Sequence, residues 1–434
     1  MSVDTHTFLE LKEWLLQSLG DYIKVATTTN ITTNTSVVST TLNSYDDGRD
    51  DYFNDWYVYI NGTTNVGVSR KISDYATSTG TITVFGANLA AETGSKDVYV
   101  TRYNPDHIKW ALIDACKEIY PTLHLPIDDQ SLIVGNILPD TFQDWSSASA
   151  LTWYSALSGT LARTTTGGLF RFGAYSAKYT AGADNDYIYI DSDSYPRLLD
   201  LQGRTIDVYV LAYPEVANNA YIVVYTVANN GTTIQTLTST TTNAAATYTW
   251  LKLEGQAISD DLDYIAIRFK VATNTKYVYF DSPYVGGRDI KEYLLPPNLR
   301  DGHVSRVRMQ TTSYKDPALC DLNPFATMDT GEVIKHDLMD IGNWRYIRLL
   351  DSITNERRLR VTGYKPLETL SADTDTITLD IQRVPLLIEY AKMLFLERES
   401  KPVSAEDIAR FDREMARAYG RYQSLYYKHR MGRE

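Results

Sequence analysis

Between Arg383 and Arg430 the sequence writes two amphipathic helices with no partner inside their own stretch, and this limits the possible folds more than any other feature. Pro385 suits a first helical turn, where its missing N–H costs nothing, and Leu387, Tyr390, Ala391 and Leu394 then fall on one face. The pattern breaks at Glu399, Ser400, Lys401 and Pro402, and Ser404 with Asp407 supplies a capping box for a second, longer helix. Along it Ile408, Phe411, Met415, Tyr419, Tyr422 and Tyr426 recur at three- and four-residue steps, apart from Asp412, Arg413, Arg417 and Arg421. Both stripes must close onto something earlier in the chain.

Matching faces stand near the start. Thr7 and Glu10 form a capping box, and Phe8, Leu11, Leu15, Leu19 and Ile23 predict an amphipathic helix that ends between Gly20 and Val25. Asn104 and Pro105 open another, whose stripe of Ile108, Leu112, Ala115 and Ile119 runs to Pro121. Between these helices, residues 37–42, 56–60, 66–72 and 81–85 read as short strands of a small antiparallel sheet. Strands at 303–310, 344–350, 357–363 and 376–381 lead into the closing helices. Either flank alone would expose large apolar faces. The predicted fold is therefore α+β, a discontinuous helix-plus-small-sheet body made of residues 1–136 and 289–434.

The intervening residues 137–288 have another character. Lys and Arg are sparse, and no helical period is evident. Ile265, Ile267, Phe269 and Val271 alternate with Tyr264, Ala266, Arg268 and Lys270, the pattern of a half-buried strand. Residues 221–227 and 233–238 flank Asn229, Asn230 and Gly231, a hairpin signal. Further strands at 175–180, 187–190, 205–211, 247–253 and 277–281 predict an inserted all-β sandwich.

The chain has 434 residues and a net charge of −12, which excludes nucleic-acid binding by overall charge, although a local basic patch is compatible with it. Cys116 and Cys320 are far apart and suggest neither a disulfide framework nor a metal knuckle. No leader or membrane-spanning run is evident, so a soluble, unprocessed protein made in the cytoplasm is expected. The 33 tyrosines, beside long Thr, Asn and Ser tracts, favour β-structure and contact surfaces that are apolar on one side and wet on the other.

The insert resembles the jelly roll of carbohydrate-binding modules. The likeness rests on Asn136, Ile137, Leu138, Pro139 and Asp140 leading to Trp145 and Trp153, on residues 173–178, and on Val278, Tyr279, Phe280, Asp281, Ser282 and Pro283. The outer body resembles structural proteins of tailed bacteriophages, above all the head-to-tail connector or adaptor class. One matching block runs Asp50, Asp51, Tyr52, Phe53, then Val58 to Gly62, Gly67, Arg70, Ile72, Asp74, Tyr75 and Ile82 to Val84. The other is Val384, Pro385, Leu386, Tyr390, Ala391 and Leu394 with Phe411, Tyr419 and Tyr422 on the last helix. This resemblance implies a homo-oligomeric ring, twelve-fold in an adaptor, joining portal to tail or stopper proteins around the DNA channel. It places the protein in the virion neck, with the insert facing outward as a decoration. Adaptors are commonly much smaller than this chain, which leaves a carbohydrate-binding tail or baseplate component, aiding adsorption to the host, as the alternative.

Three groups of residues are candidate sites. Arg417, Arg421, Tyr422, Tyr426, Tyr427, Lys428, Arg430 and Arg433 interleave aromatic and basic side chains that suit a portal or a neighbouring subunit, or DNA phosphates. They equally suit a helix end whose basic residues complement its dipole. Tyr187, Tyr189, Tyr221, Trp250, Tyr277 and Tyr279 offer rings on which a sugar can stack, the ligand that the resemblance implies, although sandwich surfaces are ordinarily rich in tyrosine. Asp184 and Asp186, near Asp191 and Asp193, carry oxygen ligands of the kind calcium takes, or simply close a turn. His6, His107, His124, His303, His336 and His429 form no metal-binding pair, and neither a serine elbow nor a phosphate loop is present. Neither an enzyme nor a cofactor is expected.

Overall fold

The computed structural model describes residues 4–20, 22–228, 230–241, 243–313, 331–351, 353–399 and 405–431. The chain is mostly β, in several antiparallel sheets. It forms two compact units, Met1–Leu125 with Pro366–Glu434, and Pro126–Lys365.

In the first unit, helix α1 (Phe8–Leu19) starts on the Thr7–Glu10 capping box and stops where Gly20 takes φ 105°. Ile23, expected on this helix, lies instead in the strand Tyr22–Ala26. Gly20 releases the chain from the helix, and Ile23 and Val25 suit a pleated strand better than a helical turn. A six-stranded sheet follows in the order Tyr22–Ala26, Asp97–Thr101, Tyr57–Asn61, Val66–Ala76, Thr81–Val84 and Ser36–Val38. Its first two strands were not among those read from the sequence. Helix α2 (Pro105–Glu118) is capped by the Asn104 side chain, which accepts from Asp106 N at 3.0 Å. The closing helices are α3 (Val384–Glu399) and α4 (Ala405–Met431). Phe8, Leu11 and Leu15 share one core with Leu112, Ala115, Leu387, Ala391 and Phe395, so the closing helices find the partners that their stripes required.

In the second unit, ten strands make a sandwich: β1 (Ser155–Ala156), β2 (Thr160–Thr164), β3 (Ser176–Thr180), β4 (Asp186–Asp191), β5 (Thr205–Pro214), β6 (Ala220–Val227), β7 (Thr233–Thr238), β8 (Thr249–Ala257), β9 (Tyr264–Val271) and β10 (Tyr277–Gly286). One antiparallel sheet has the order β1-β4-β9-β6-β7 and the other β2-β3-β10-β5-β8. Ile188, Ile222, Val224, Ile265, Ile267 and Phe269 of the first meet Tyr179, Val208, Val210, Leu251, Val278 and Phe280 of the second in one core. The alternation read along residues 264–271 thus matches the buried and outward faces of β9.

Residues 289–365, assigned from sequence to the outer body, cluster with the sandwich. His303–Ser313 pairs with Arg357–Lys365, which pairs in turn with Leu125–Asp129. Ile347, Leu349, Leu359 and Val361 join the same apolar core as Val134, Ile137 and Phe280. Hydrophobic continuity therefore divides the chain at residues 125 and 366, where composition had pointed to 136 and 289.

Candidate functional site

The outward face of the first sheet is a lattice of tyrosines around two cations. Because side chains alternate along each strand, residues in register across β4, β9 and β6 line up in rows on that face. Lys270 of β9 lies opposite both Tyr187 and Tyr221, and the next row sets Arg268 between Tyr189 and Val223. Beyond them Ala266 is in register with Tyr225, and Tyr264 with Val227. Tyr187, Tyr189, Tyr221, Tyr225 and Tyr264 are all partly exposed, as are Arg268 and Lys270.

Close contacts fix this face. The Arg268 guanidinium stands 4.0 Å from the centre of the Tyr225 ring and 4.8 Å from that of Tyr187. The Lys270 ammonium lies 5.2 Å from Tyr187 and 5.7 Å from Tyr221. Three hydroxyls are tethered at the rim: Tyr221 Oη donates to Asn185 at 2.8 Å, Tyr225 Oη is 2.8 Å from Thr233 Oγ1, and Tyr264 Oη donates to Asp191 at 3.2 Å. Tethered rings lose little freedom when a ligand lies on them, which favours binding. Burial pushes the Lys270 ammonium below its ordinary range, and Arg268 beside it adds to that effect.

Part of the outward face of the other sheet is covered. Tyr209, Leu211, Trp250 and Tyr284 pack under Phe172, Ile133 and Tyr248 as a second apolar cluster, and Trp250 is only 9% exposed. Asp281 is enclosed there, accepting the N–H groups of Arg171 at 2.6 Å and Phe172 at 3.2 Å. Tyr279 is 8% exposed and packs 5.4 Å from Tyr277. The six aromatic residues proposed from sequence as one sugar platform therefore divide: Tyr187, Tyr189 and Tyr221 share the open lattice, while Trp250, Tyr277 and Tyr279 lie on the opposite sheet. Sequence reading missed Tyr225, Tyr264, Arg268 and Lys270 as site members. Three of these already stood on the outward side of the alternation in β9.

The carboxylates offered for calcium are engaged by the protein. Asp186 accepts from Gly182 N at 2.8 Å, Tyr187 N at 2.9 Å and the Ser158 hydroxyl at 2.8 Å. Burial works against its ionisation, yet these donors together hold it below the usual carboxylate range. Asp184 ties two loops together by accepting from Asn274 N at 2.8 Å. Among the described residues no group of three His, Cys, Asp or Glu side chains is placed to hold a metal.

The C-terminal residues also divide. Tyr422 lies 5.4 Å from Tyr390 and 6.3 Å from Tyr426, both half-buried against the helical core. Arg421 reaches the buried carboxylate of Glu389 at 3.1 Å. Arg417, Tyr419, Tyr427 and Lys428 remain exposed on α4. The Arg430 side chain and Arg433 lie outside the described residues, as do Ser404, Asn229 and Cys320.

A cleft in the second unit is lined by Asp140, Trp153, Tyr195, Arg197, Tyr293 and Arg300. With a volume of about 30 Å³ it holds a water molecule or two and no sugar ring. The open lattice is thus the better place for a ligand of that size.

No protein-family model matches the chain, and no curated protein matches it. Among solved structures, it is similar to the CBM22-1–GH10 modules of Clostridium thermocellum endo-1,4-β-D-xylanase 10B, at 11% identity, covering 35% of this chain and 28% of that one, with a TM-score of 0.29. It is also similar to the C-terminal family 22 carbohydrate-binding module of the same xylanase, at 13% identity over 34% of this chain and 96% of the module, TM-score 0.27. A third similarity is to the enzymatically active domain of bacteriophage CBA120 tailspike protein 4, at 10% identity over 37% of this chain and 21% of that one, TM-score 0.26. The likeness in each case is confined to part of this chain.

Proposed function

We propose that the sandwich binds carbohydrate on the tyrosine lattice of its first sheet, and that the chain serves as a carbohydrate-binding tail or baseplate component of a tailed phage. The observation that carries the reading is the set of five partly exposed tyrosines on one face of three paired strands. The C–H face of a pyranose stacks on such rings, and their hydroxyls offer donors and acceptors at the rim. The phage setting is supported by the resemblance of the outer body to virion proteins. The proposed action is binding without turnover.

Titration of the full chain against a panel of soluble polysaccharides tests it. Tyr187→Ala and Tyr225→Ala should each weaken binding about tenfold or more, on the scale of one lost stacking contact plus its buried area. Unchanged affinity in both variants would remove the lattice from the function.

The connector reading, a subunit of a ring between portal and tail, draws on a different observation, the exposed Arg417, Tyr419, Tyr427 and Lys428 on α4. Tyrosine and arginine are good anchors for a protein partner, and basic residues can also face DNA phosphates. Removal of residues 417–434 should block head-to-tail joining if that surface docks a neighbour; particles formed at normal yield would end this reading.

A further inference from the structure

The two cations at the centre of the lattice are charged groups without a full counter-charge. Arg268 and Lys270 sit two residues apart on the same face of β9, so their charges oppose each other across one pleat repeat. Neither forms an ion pair among the described residues, and Arg268 Nε is buried there without a hydrogen-bond partner. Asp186 favours the charged form of Lys270 but forms no ion pair with it among the described residues. Asp186 is held by Gly182, Tyr187 and Ser158, while Asp191 accepts from the Ser194 amide at 2.9 Å and from Tyr264. Beside the other sheet, by contrast, Lys276 is matched by Glu215 at 2.9 Å. A like-charged pair flanked by tyrosine faces and without an ion pair is unusual on a chain whose net charge is −12.

We propose that this face selects acidic polysaccharides, with Arg268 and Lys270 taking the carboxylate of a uronic acid residue while flanking tyrosines stack on neighbouring sugar rings. This rests on the reading of the lattice as a carbohydrate site and adds the ligand class. A guanidinium gives a carboxylate two parallel N–H donors, and an ammonium two residues away adds a second charge. Partial removal from water strengthens both contacts. The ring faces supply contacts that tolerate any sugar, and the cations supply discrimination between charged and neutral chains.

The test uses the full chain with three probes at physiological salt: polygalacturonate, its fully methyl-esterified form, and double-stranded DNA. Polygalacturonate should bind about tenfold or more tighter than the ester, and Arg268→Gln and Lys270→Gln should each remove most of that difference. Arg268→Lys, which keeps the charge and loses the paired donors, should fall between, and unchanged thermal midpoints show that the variants fold. Equal binding of acid and ester, insensitive to both Gln variants, would overturn the proposal and leave the carbohydrate reading standing. Failure to bind either polysaccharide would overturn the proposal, and failure across the wider polysaccharide panel as well would overturn the carbohydrate reading with it. DNA bound as tightly as polygalacturonate, and lost in the same variants, would make the face a general polyanion surface and also refute the proposal.

Discussion

Replacing Arg358 by Met should unfold the second unit more easily, and by an amount that depends on pH. Arg358 is 1% exposed, with its guanidinium 3.3 Å from the centre of the Phe172 ring and Nη1 donating to the Gln130 carbonyl at 2.8 Å. It also faces the field of Asp281, whose carboxyl burial pushes up to about 6, while the Arg171 amide and Arg358 pull it back. A charge-assisted hydrogen bond contributes about 1.5–3 kcal/mol and a desolvated cation–ring contact about 2 kcal/mol, and removing one partner of a buried pair costs about 3–5 kcal/mol. These overlap, so a loss of about 4 kcal/mol is expected at about pH 7.5, where Asp281 is ionised. Because its pKa is raised in the folded chain, the stability Asp281 contributes is full below about pH 4 and lost as pH rises through about 6. Without Arg358 the carboxyl rises further and that loss deepens above pH 6. At about pH 5 the carboxyl keeps its proton in the variant, and the difference should shrink to roughly 2 kcal/mol. Urea unfolding followed by near-UV circular dichroism at both pH values reads the change in midpoint, provided the slope is constant. Equal losses at the two pH values would show that Arg358 does not act through Asp281.

Asp140, pushed up to about 7 by burial, should make wild-type stability fall from about pH 4 until it levels off just above pH 7, because over that range the unfolded chain has released a proton that the folded chain keeps, and Asp140→Asn should flatten that decline in thermal melts. Phe269→Ala empties the middle of the sandwich core and should cost about 3–5 kcal/mol in urea unfolding. Glu389→Gln removes the ionic partner of Arg421, so amides of α4 should exchange faster while those of α3 stay protected.

The strands with a strict alternation were legible. Ile265, Ile267 and Phe269 against Tyr264, Arg268 and Lys270 had only one way to stand in a half-buried sheet. Helix starts at Thr7 and Asn104 were equally plain, because a cap is a local device read over four residues. What periodicity lacks is the identity of a strand's neighbours. Nothing local in Ile347, Leu349, Leu359 or Val361 says which core they join, so the boundary fell at residue 289 and not at 366. The same gap put Trp250, Tyr277 and Tyr279 with Tyr187: all were offered as rings for one platform, but strand order sends them to opposite sheets. Tyr225 and Tyr264 were missed for the converse reason, since only the β4-β9-β6 register makes them neighbours.

The first unit is assembled from two separated pieces of chain, with Pro126–Lys365 between them. On the ribosome, α1 and α2 emerge long before α3 and α4 exist, and Phe8, Leu11, Leu112 and Ala115 must wait with their apolar faces uncovered. At synthesis rates of about 5–20 residues per second, that wait lasts on the order of half a minute. The second unit can close its own core during that interval, so it should be the first to fold. The early helices then become the part of the nascent chain most exposed to chaperones and to premature pairing with another copy of themselves.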